Sequence, residues 1–201
     1  MCCPTSLVGN WDNEIKKWVG DKCPTFPCKS DAKRVIKDFV AHRGKGVLIV
    51  SYETQRLYSK LFHASAASKL TSSSSSSSSN VCCELLICDE AHKLKNADCA
   101  LSVSLKLLPA KKRILLSGTP MQNELTEFFN MVDFCNPNVL GTLSEFRKKY
   151  ERPILRAKEM DATESDRSKA DKLQKELSTI VNEFILKRGE CSNQNSNPNN
   201  L

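Results

Sequence analysis

Residues 81–96 read VCCELLICDEAHKLKN. An apolar run ends in two adjacent carboxylates, Asp89 and Glu90, followed by His92 and then by lysines. Carboxylates at the mouth of a buried strand have two common uses. They cap the next helix, whose N-terminal dipole favours negative charge, or they hold a divalent cation that is itself bound to nucleotide phosphates. In the second use one carboxylate carries Mg²⁺ and its neighbour can take a proton from an attacking water. A later apolar run, KRILLSGTP (112–120), ends in Ser117, Gly118 and Thr119, small and hydroxylic residues able to approach the same crevice. That combination favours phosphate chemistry over a simple cap.

Such a site needs strands that end together. GKGVLIVSYE (44–53), CELLICDE (83–90) and KRILLSGTP share one design, a short apolar run closing in small or polar residues. Strands buried on both faces of a parallel sheet read this way. Between them lie helical stripes: Trp11, Ile15 and Trp18; Val35, Ile36, Phe39 and Val40 behind a cap at Ser30; Leu125, Phe128, Phe129 and Val132. Their spacing makes these side chains core, Trp11 and Trp18 included. Residues 161–184 are a further expected helix, with Leu173, Leu177, Ile180, Val181 and Phe184 as its buried stripe. Strands alternating with helices predict an α/β fold with a parallel sheet. Ligands in such sheets sit at the carboxyl ends of the strands, where Ser51, Asp89–Glu90 and Ser117–Gly118 fall.

The 201 residues suffice for one sizeable core. A net charge of +7 suits an anionic partner. The ten cysteines include two adjacent pairs and no C-x-x-C, which fits neither a disulfide framework nor a zinc site and reads as a reduced, intracellular protein. No apolar run reaches the length of a membrane span, so no membrane partner is expected. The serine run Ser72–Ser79, within an insertion over 68–80, and the Asn-rich tail over 189–201 cannot pack and are expected to be disordered. The opening MCCPTS reads as the end of a strand.

DEAHKLKN followed by LLSGTPMQNEL resembles motifs II and III of the Swi/Snf-type family of helicase-like DNA translocases, in helicase superfamily 2. CPTSLVGNWDNEIKKW resembles motif Ia, IVSYET motif Ib, and VNEFILKR the segment closing the first lobe. NPNVLGTLSEFRKKYERPIL and ESDRSKADKLQKELSTIVNEFILKR resemble the recombination-repair branch. The Ser117–Pro120 sequence argues against the DEAH-box RNA helicases, which typically carry Ser-Ala-Thr there. The resemblance implies a three-layer RecA-like lobe over residues 1–188. It implies ATP and Mg²⁺ as cofactors, with Asp89 as the Mg²⁺ ligand and Glu90 activating the water. His92, Ser117, Gly118, Thr119 and Gln122 would couple hydrolysis to lobe movement, with His92 beside the nucleotide. Thr5, Ser6 and Asn10 from motif Ia, and Ser51, Tyr52 and Thr54 from motif Ib, would grip double-stranded DNA by its phosphates. It also implies a nuclear protein, with any recombinase or nucleosome contacted through regions outside this sequence.

The family also uses a phosphate loop, G-x-x-x-x-G-K-[ST]. The chain has one Gly-Lys, Gly44-Lys45, but Gly46 stands where Ser or Thr is required and Phe39 where the first glycine should be. Two readings follow. In the first, the chain is a piece of an ATP-driven DNA translocase, a lobe incomplete at its N-terminus and inactive alone, with a gap at the sheet's centre where the phosphate-loop strand belongs. In the second, it is a non-catalytic DNA- or protein-binding lobe.

Overall fold

A computed structural model describes residues 1–42, 45–62, 83–118 and 125–186. The serine run, the tail, Thr119 and Gln122 lie outside the described residues. The chain divides into two compact units, Met1–Leu143 and Ser144–Leu201.

The first unit is built on a five-stranded sheet. Its strands are β1 (Cys2–Cys3), β2 (Thr25–Pro27), β3 (Val47–Ser51), β4 (Cys83–Cys88) and β5 (Ala110–Leu115), in the order β2-β3-β1-β4-β5. Every pairing is parallel, so all strands end at the same edge. The register sets Cys2 beside Val50 and Cys88, and Cys88 beside Leu115. Three strands match the expected runs, and the opening residues do form a strand. The short β2 carries no apolar alternation and was not expected. It is held against β3 at Gly46, whose φ of 118° and neighbouring Pro24 oxygen, 2.3 Å from where a Cβ would stand, require glycine. That is what Gly46 does in the Gly-Lys-Gly sequence.

The middle of the sheet is occupied by β1. The uncovered apolar side chains lie elsewhere. Leu85, Ile114 and Leu116 are exposed on β4, on β5 and just after it, whereas Leu48, Ile49 and Val50 of β3 are buried. Of the three strands for which burial on both faces was expected, β3 alone therefore has it. The core lies where α2 (Ala32–Ala41), α3 (Tyr52–Leu57), α4 (Ala100–Lys106) and α5 (Leu125–Cys135) bring Ile36, Phe39, Tyr52, Leu105 and Phe134 together with Cys2, Val50, Leu86 and Cys88. Asp31, not Ser30, caps α2, its carboxylate accepting from the Arg34 N–H.

The helix α1 (Val8–Val19) covers the other face near β3, with Trp11 and Ile15 packed on Cys3, Val8, Ile49 and Val47. Trp18 does not join them: it is 76% exposed, its indole bonded only to Glu14. The expected stripe is correct in angle, but Trp18 lies a turn beyond the strand residues that could bury it. Asp12 on the same helix is buried and accepts from the Thr25 hydroxyl at 2.7 Å and from Lys16 at 2.9 Å, tying α1 to β2.

The second unit is helical. The run formed by α6 (Leu143–Phe146), a π-helical turn over Arg147–Glu151 and α7 (Arg152–Arg156) contributes Phe146, Tyr150 and Ile154 to its core. The π turn leads into Pro153, which has no N–H to continue an α-helical ladder. The long helix α8 (Glu164–Val181) supplies Ala170, Leu177 and Val181. It begins at a Thr163–Asp166 capping box, three residues after the expected start, and Phe184 lies past its end.

Candidate active site

Because the sheet is parallel, the ends of β1, β3, β4 and β5 deliver Thr5, Ser51, Asp89 and Ser117 to one edge. The segments after β4 and β5 are bonded together, with the Leu116 N–H donating to Cys88 O and the Ala91 N–H to Leu116 O, both at 2.8 Å. This joins the carboxylate pair to the start of the SGTP stretch. Ser117 and Gly118 are exposed at that edge.

Asp89 is the most closely held residue there. Its N–H donates to Cys2 O at 2.9 Å. Its Oδ1 accepts from the Glu90 N–H at 2.9 Å, and its Oδ2 accepts from the Trp11 indole N–H at 2.8 Å. Its carbonyl oxygen accepts from the Tyr52 hydroxyl at 2.6 Å. Burial pushes the Tyr52 phenol far above its usual range, so the hydroxyl remains a donor at any ordinary pH. Each Asp89 carboxylate oxygen takes one of these hydrogen bonds and keeps acceptor capacity for a further partner.

That arrangement fits Mg²⁺ carried by a nucleotide. Magnesium prefers hard oxygen donors and is commonly held by one or two carboxylates plus water and phosphate oxygens. Among the described residues no group of three or more His, Cys, Asp or Glu side chains gathers.

Glu90 adopts the left-handed conformation, φ 53° and ψ 50°, which is uncommon for a residue with a side chain. The turn carries Glu90 off the strand axis, so Asp89 and Glu90 do not simply alternate across the sheet. Glu90 Oε2 lies 3.2 Å from His92 Nδ1. That nitrogen is shielded from solvent and makes no hydrogen bond, so the pair is close without being aligned. The short 3₁₀ turn Ala91–Leu94 places His92 there, anchored by buried Ala91 and Leu94.

The residues expected to grip DNA separate into two groups. Thr5, Ser6 and Asn10 are exposed, on the 3₁₀ turn Thr5–Leu7 and the first turn of α1. Ser51 and Tyr52 are buried, so neither side chain offers exposed surface for a phosphate contact. Ser51 Oγ caps α3, accepting from the Thr54 N–H at 3.1 Å and bonding the Thr54 hydroxyl at 2.9 Å. Tyr52 has no exposed surface and serves Asp89. Thr54 is half-buried. The Thr5 hydroxyl donates to Glu53 Oε2 at 3.3 Å, which links the two segments. Hydrogen bonds, first from its own backbone N–H and then from Ser51 and Thr5, together with nearby Lys93, hold the Glu53 carboxyl below its usual range against the opposing effect of burial.

Trp11 is the contact to Asp89 that helical spacing hides. Its ring is half-buried core, as expected, but a buried indole N–H needs an acceptor. The nearest carboxylate-rich strand end supplies one.

The fold, an all-parallel sheet flanked by helices, defines a lobe of the RecA-like type. A SNF2-related domain model matches residues 1–198, and the chain belongs to that family. It is 46% identical over 190 residues to Protein CHROMATIN REMODELING 25 of Arabidopsis thaliana, covering 92% of this chain and 19% of that protein. It is 44% identical over 190 residues to the rice DNA repair and recombination protein RAD54, covering 92% and 18%. The fission-yeast DNA repair protein rhp54 is 39% identical over 198 residues, covering 94% and 21%. The chain thus spans about a fifth of the length of these relatives. Its fold matches the Sulfolobus solfataricus SWI2/SNF2 ATPase core in complex with dsDNA, with a TM-score of 0.62, 24% identity, and coverage of 93% of this chain and 32% of that one.

Proposed function

We propose that the chain is the part of an ATP-driven double-stranded DNA translocase that carries the hydrolytic carboxylates and one DNA-facing surface. Its setting is nuclear recombinational repair or chromatin remodelling. The observation that carries this reading is the position of Asp89 and Glu90: at the carboxyl end of an inner strand, beside the segment with exposed Thr5, Ser6 and Asn10 and tied to it through Trp11.

Asp89 would hold Mg²⁺, which when bound neutralises charge on the β- and γ-phosphates of ATP. Glu90 Oε accepts a proton from water as the water oxygen attacks the γ-phosphorus. The bond to the bridging oxygen breaks, and ADP leaves with the electron pair. His92, beside Glu90, and Ser117 and Gly118, joined to this turn through Leu116, couple hydrolysis to lobe movement; Thr119 and Gln122 continue that segment in sequence. Thr5, Ser6, Asn10 and Thr54 contact DNA phosphates, a grip that positions the protein without reading sequence. A recombinase or nucleosome would be met through other parts of such a protein.

The 201 residues contain no G-x-x-x-x-G-K-[ST] sequence to hold the β- and γ-phosphates, so this chain alone would bind duplex DNA and not turn over ATP. The test is to substitute residues 1–186 for the matching segment of a longer relative. The chimera should show ATP hydrolysis stimulated by double-stranded DNA. A folded chimera that binds duplex DNA and has no such activity would favour the second reading, a non-catalytic binding lobe.

A further inference from the structure

Asp89 is bonded from both DNA-facing segments at once. Trp11, from the helix that begins three residues after the exposed Thr5–Leu7 turn starts, bonds its carboxylate. Tyr52, one residue after the Ser51 cap, bonds its backbone carbonyl. Thr5 and Glu53 link the two segments. Lys93, in the turn after the carboxylates, stacks over the Tyr52 ring at 5.6 Å.

We infer that Trp11 is a positioning residue that couples engagement of DNA by the Thr5–Asn10 segment to the orientation of the Asp89 carboxylate, while Tyr52 fixes the Asp89 backbone from the second segment. This rests on the functional reading above. The physical basis is direct. A hydrogen bond to a ligating carboxylate orients it and tunes its affinity for metal. Trp11 lies one residue after Asn10, on a rigid helix, so a shift of that helix on DNA moves the indole donor and with it Oδ2. The Glu90 N–H, bonded to Oδ1, must follow any rotation of the carboxylate. DNA contact would then reach the metal ligand through one side chain rather than by long-range rearrangement.

Two measurements on the 201-residue chain test this, one without metal and one without DNA. In the first, duplex DNA is added to saturation and the Glu90 amide resonance is followed by NMR. It should shift in the wild-type chain. In Trp11→Phe, duplex affinity measured by fluorescence anisotropy should stay within about two-fold while the Glu90 shift disappears. Trp11→Leu, which keeps an apolar side chain at the site and carries no donor, should behave the same way. It serves if Trp11→Phe does not fold. In the second, Mn²⁺ alone is the probe. Trp11→Phe should weaken Mn²⁺ binding, read by paramagnetic relaxation of water, by about 10–100-fold, the usual effect of losing such a supporting hydrogen bond. Asp89→Asn should abolish the binding, and Trp11→Phe added to Asp89→Asn should have no further effect.

A Glu90 shift that survives in both Trp11 variants overturns the coupling, and unchanged Mn²⁺ affinity overturns the positioning role; either leaves the functional reading intact. A chain that binds no duplex DNA overturns the functional reading itself and the coupling with it, and one that holds no Mn²⁺ at Asp89 overturns the positioning role.

Discussion

Glu90 occupies a backbone conformation that costs stability, and the cost can be measured. At φ 53° and ψ 50° a residue with a Cβ sits in the left-handed region, at a cost of about 1–2 kcal/mol relative to a right-handed geometry. Replacing Glu90 by Gly removes that cost. Replacing it by Ala does not. Both substitutions delete the same contact with His92, and both keep the backbone donor to Asp89 Oδ1, so these effects cancel in the comparison. Glycine also loses about 0.4–1 kcal/mol more chain entropy on folding than alanine. The difference leaves Glu90→Gly more stable than Glu90→Ala by roughly 1 kcal/mol, reversing the order seen at ordinary positions. For a chain of this size that is about 2–4 °C in Tm. Thermal unfolding followed by circular dichroism, with urea unfolding as a second measure, would read the difference. If Glu90→Ala proves as stable as Glu90→Gly or more so, the turn is not strained. The placement of Glu90 off the strand axis would then need another cause.

Three further outcomes follow from the structure. Asp12 is pushed up by burial, but Thr25, Lys16 and Lys29 outweigh that and hold its carboxyl below the ordinary 3.8. A lowered carboxylate contributes its full stability above the unfolded-chain value and loses it as pH falls through its own lower value, so Asp12→Asn should cost about 1.5–3 kcal/mol at pH 7 and progressively less below pH 4 in unfolding experiments. Glu53→Gln removes a negative charge bonded to Thr5 and should strengthen duplex binding by about 2–5-fold at low salt, the gain shrinking as salt rises; anisotropy titrations at two salt concentrations check it. Leu85→Lys and Ile114→Lys place charge on the uncovered face of β4 and β5 and should reduce aggregation, measured by light scattering, while changing unfolding free energy by less than about 1 kcal/mol.

Much of the fold was legible because period and composition are local signals. The runs ending at Ser51, Asp89 and Ser117 announced parallel strands, and the stripes through Ile36 and Phe39 and through Phe129 and Val132 announced helices that the core does bury. The β2 strand was not legible, since Thr25–Pro27 is fixed by its neighbours, by Gly46 and by Asp12 rather than by any alternation of its own. Trp18 shows the opposite limit. Periodicity gives the face of a helix, but not where the surface beneath it ends. In the site, Asp89 and Glu90 could be named from adjacency alone. The separate fates of Thr5 and Tyr52 could not, because both are hydroxyl residues just past a strand. Only the three-dimensional contacts turn one outward and bury the other against Asp89. Trp11 was read as core, and its indole donor needed a partner 78 positions away in sequence.

If the end of β4 is a hydrolysis site, its two carboxylates have divided roles. The chimera of residues 1–186 in a longer relative allows the most direct measurement: DNA-stimulated ATP turnover and MgATP affinity, side by side, for Asp89→Asn and Glu90→Gln. Glu90→Gln removes the base and leaves the metal ligand, so turnover should fall by about 10²–10⁴-fold with MgATP affinity nearly unchanged. Asp89→Asn weakens the metal site, so turnover and MgATP affinity should fall together. Duplex binding without nucleotide should survive both. Near-wild-type turnover in Glu90→Gln, or equal loss of DNA binding in the two variants, would contradict the assignment.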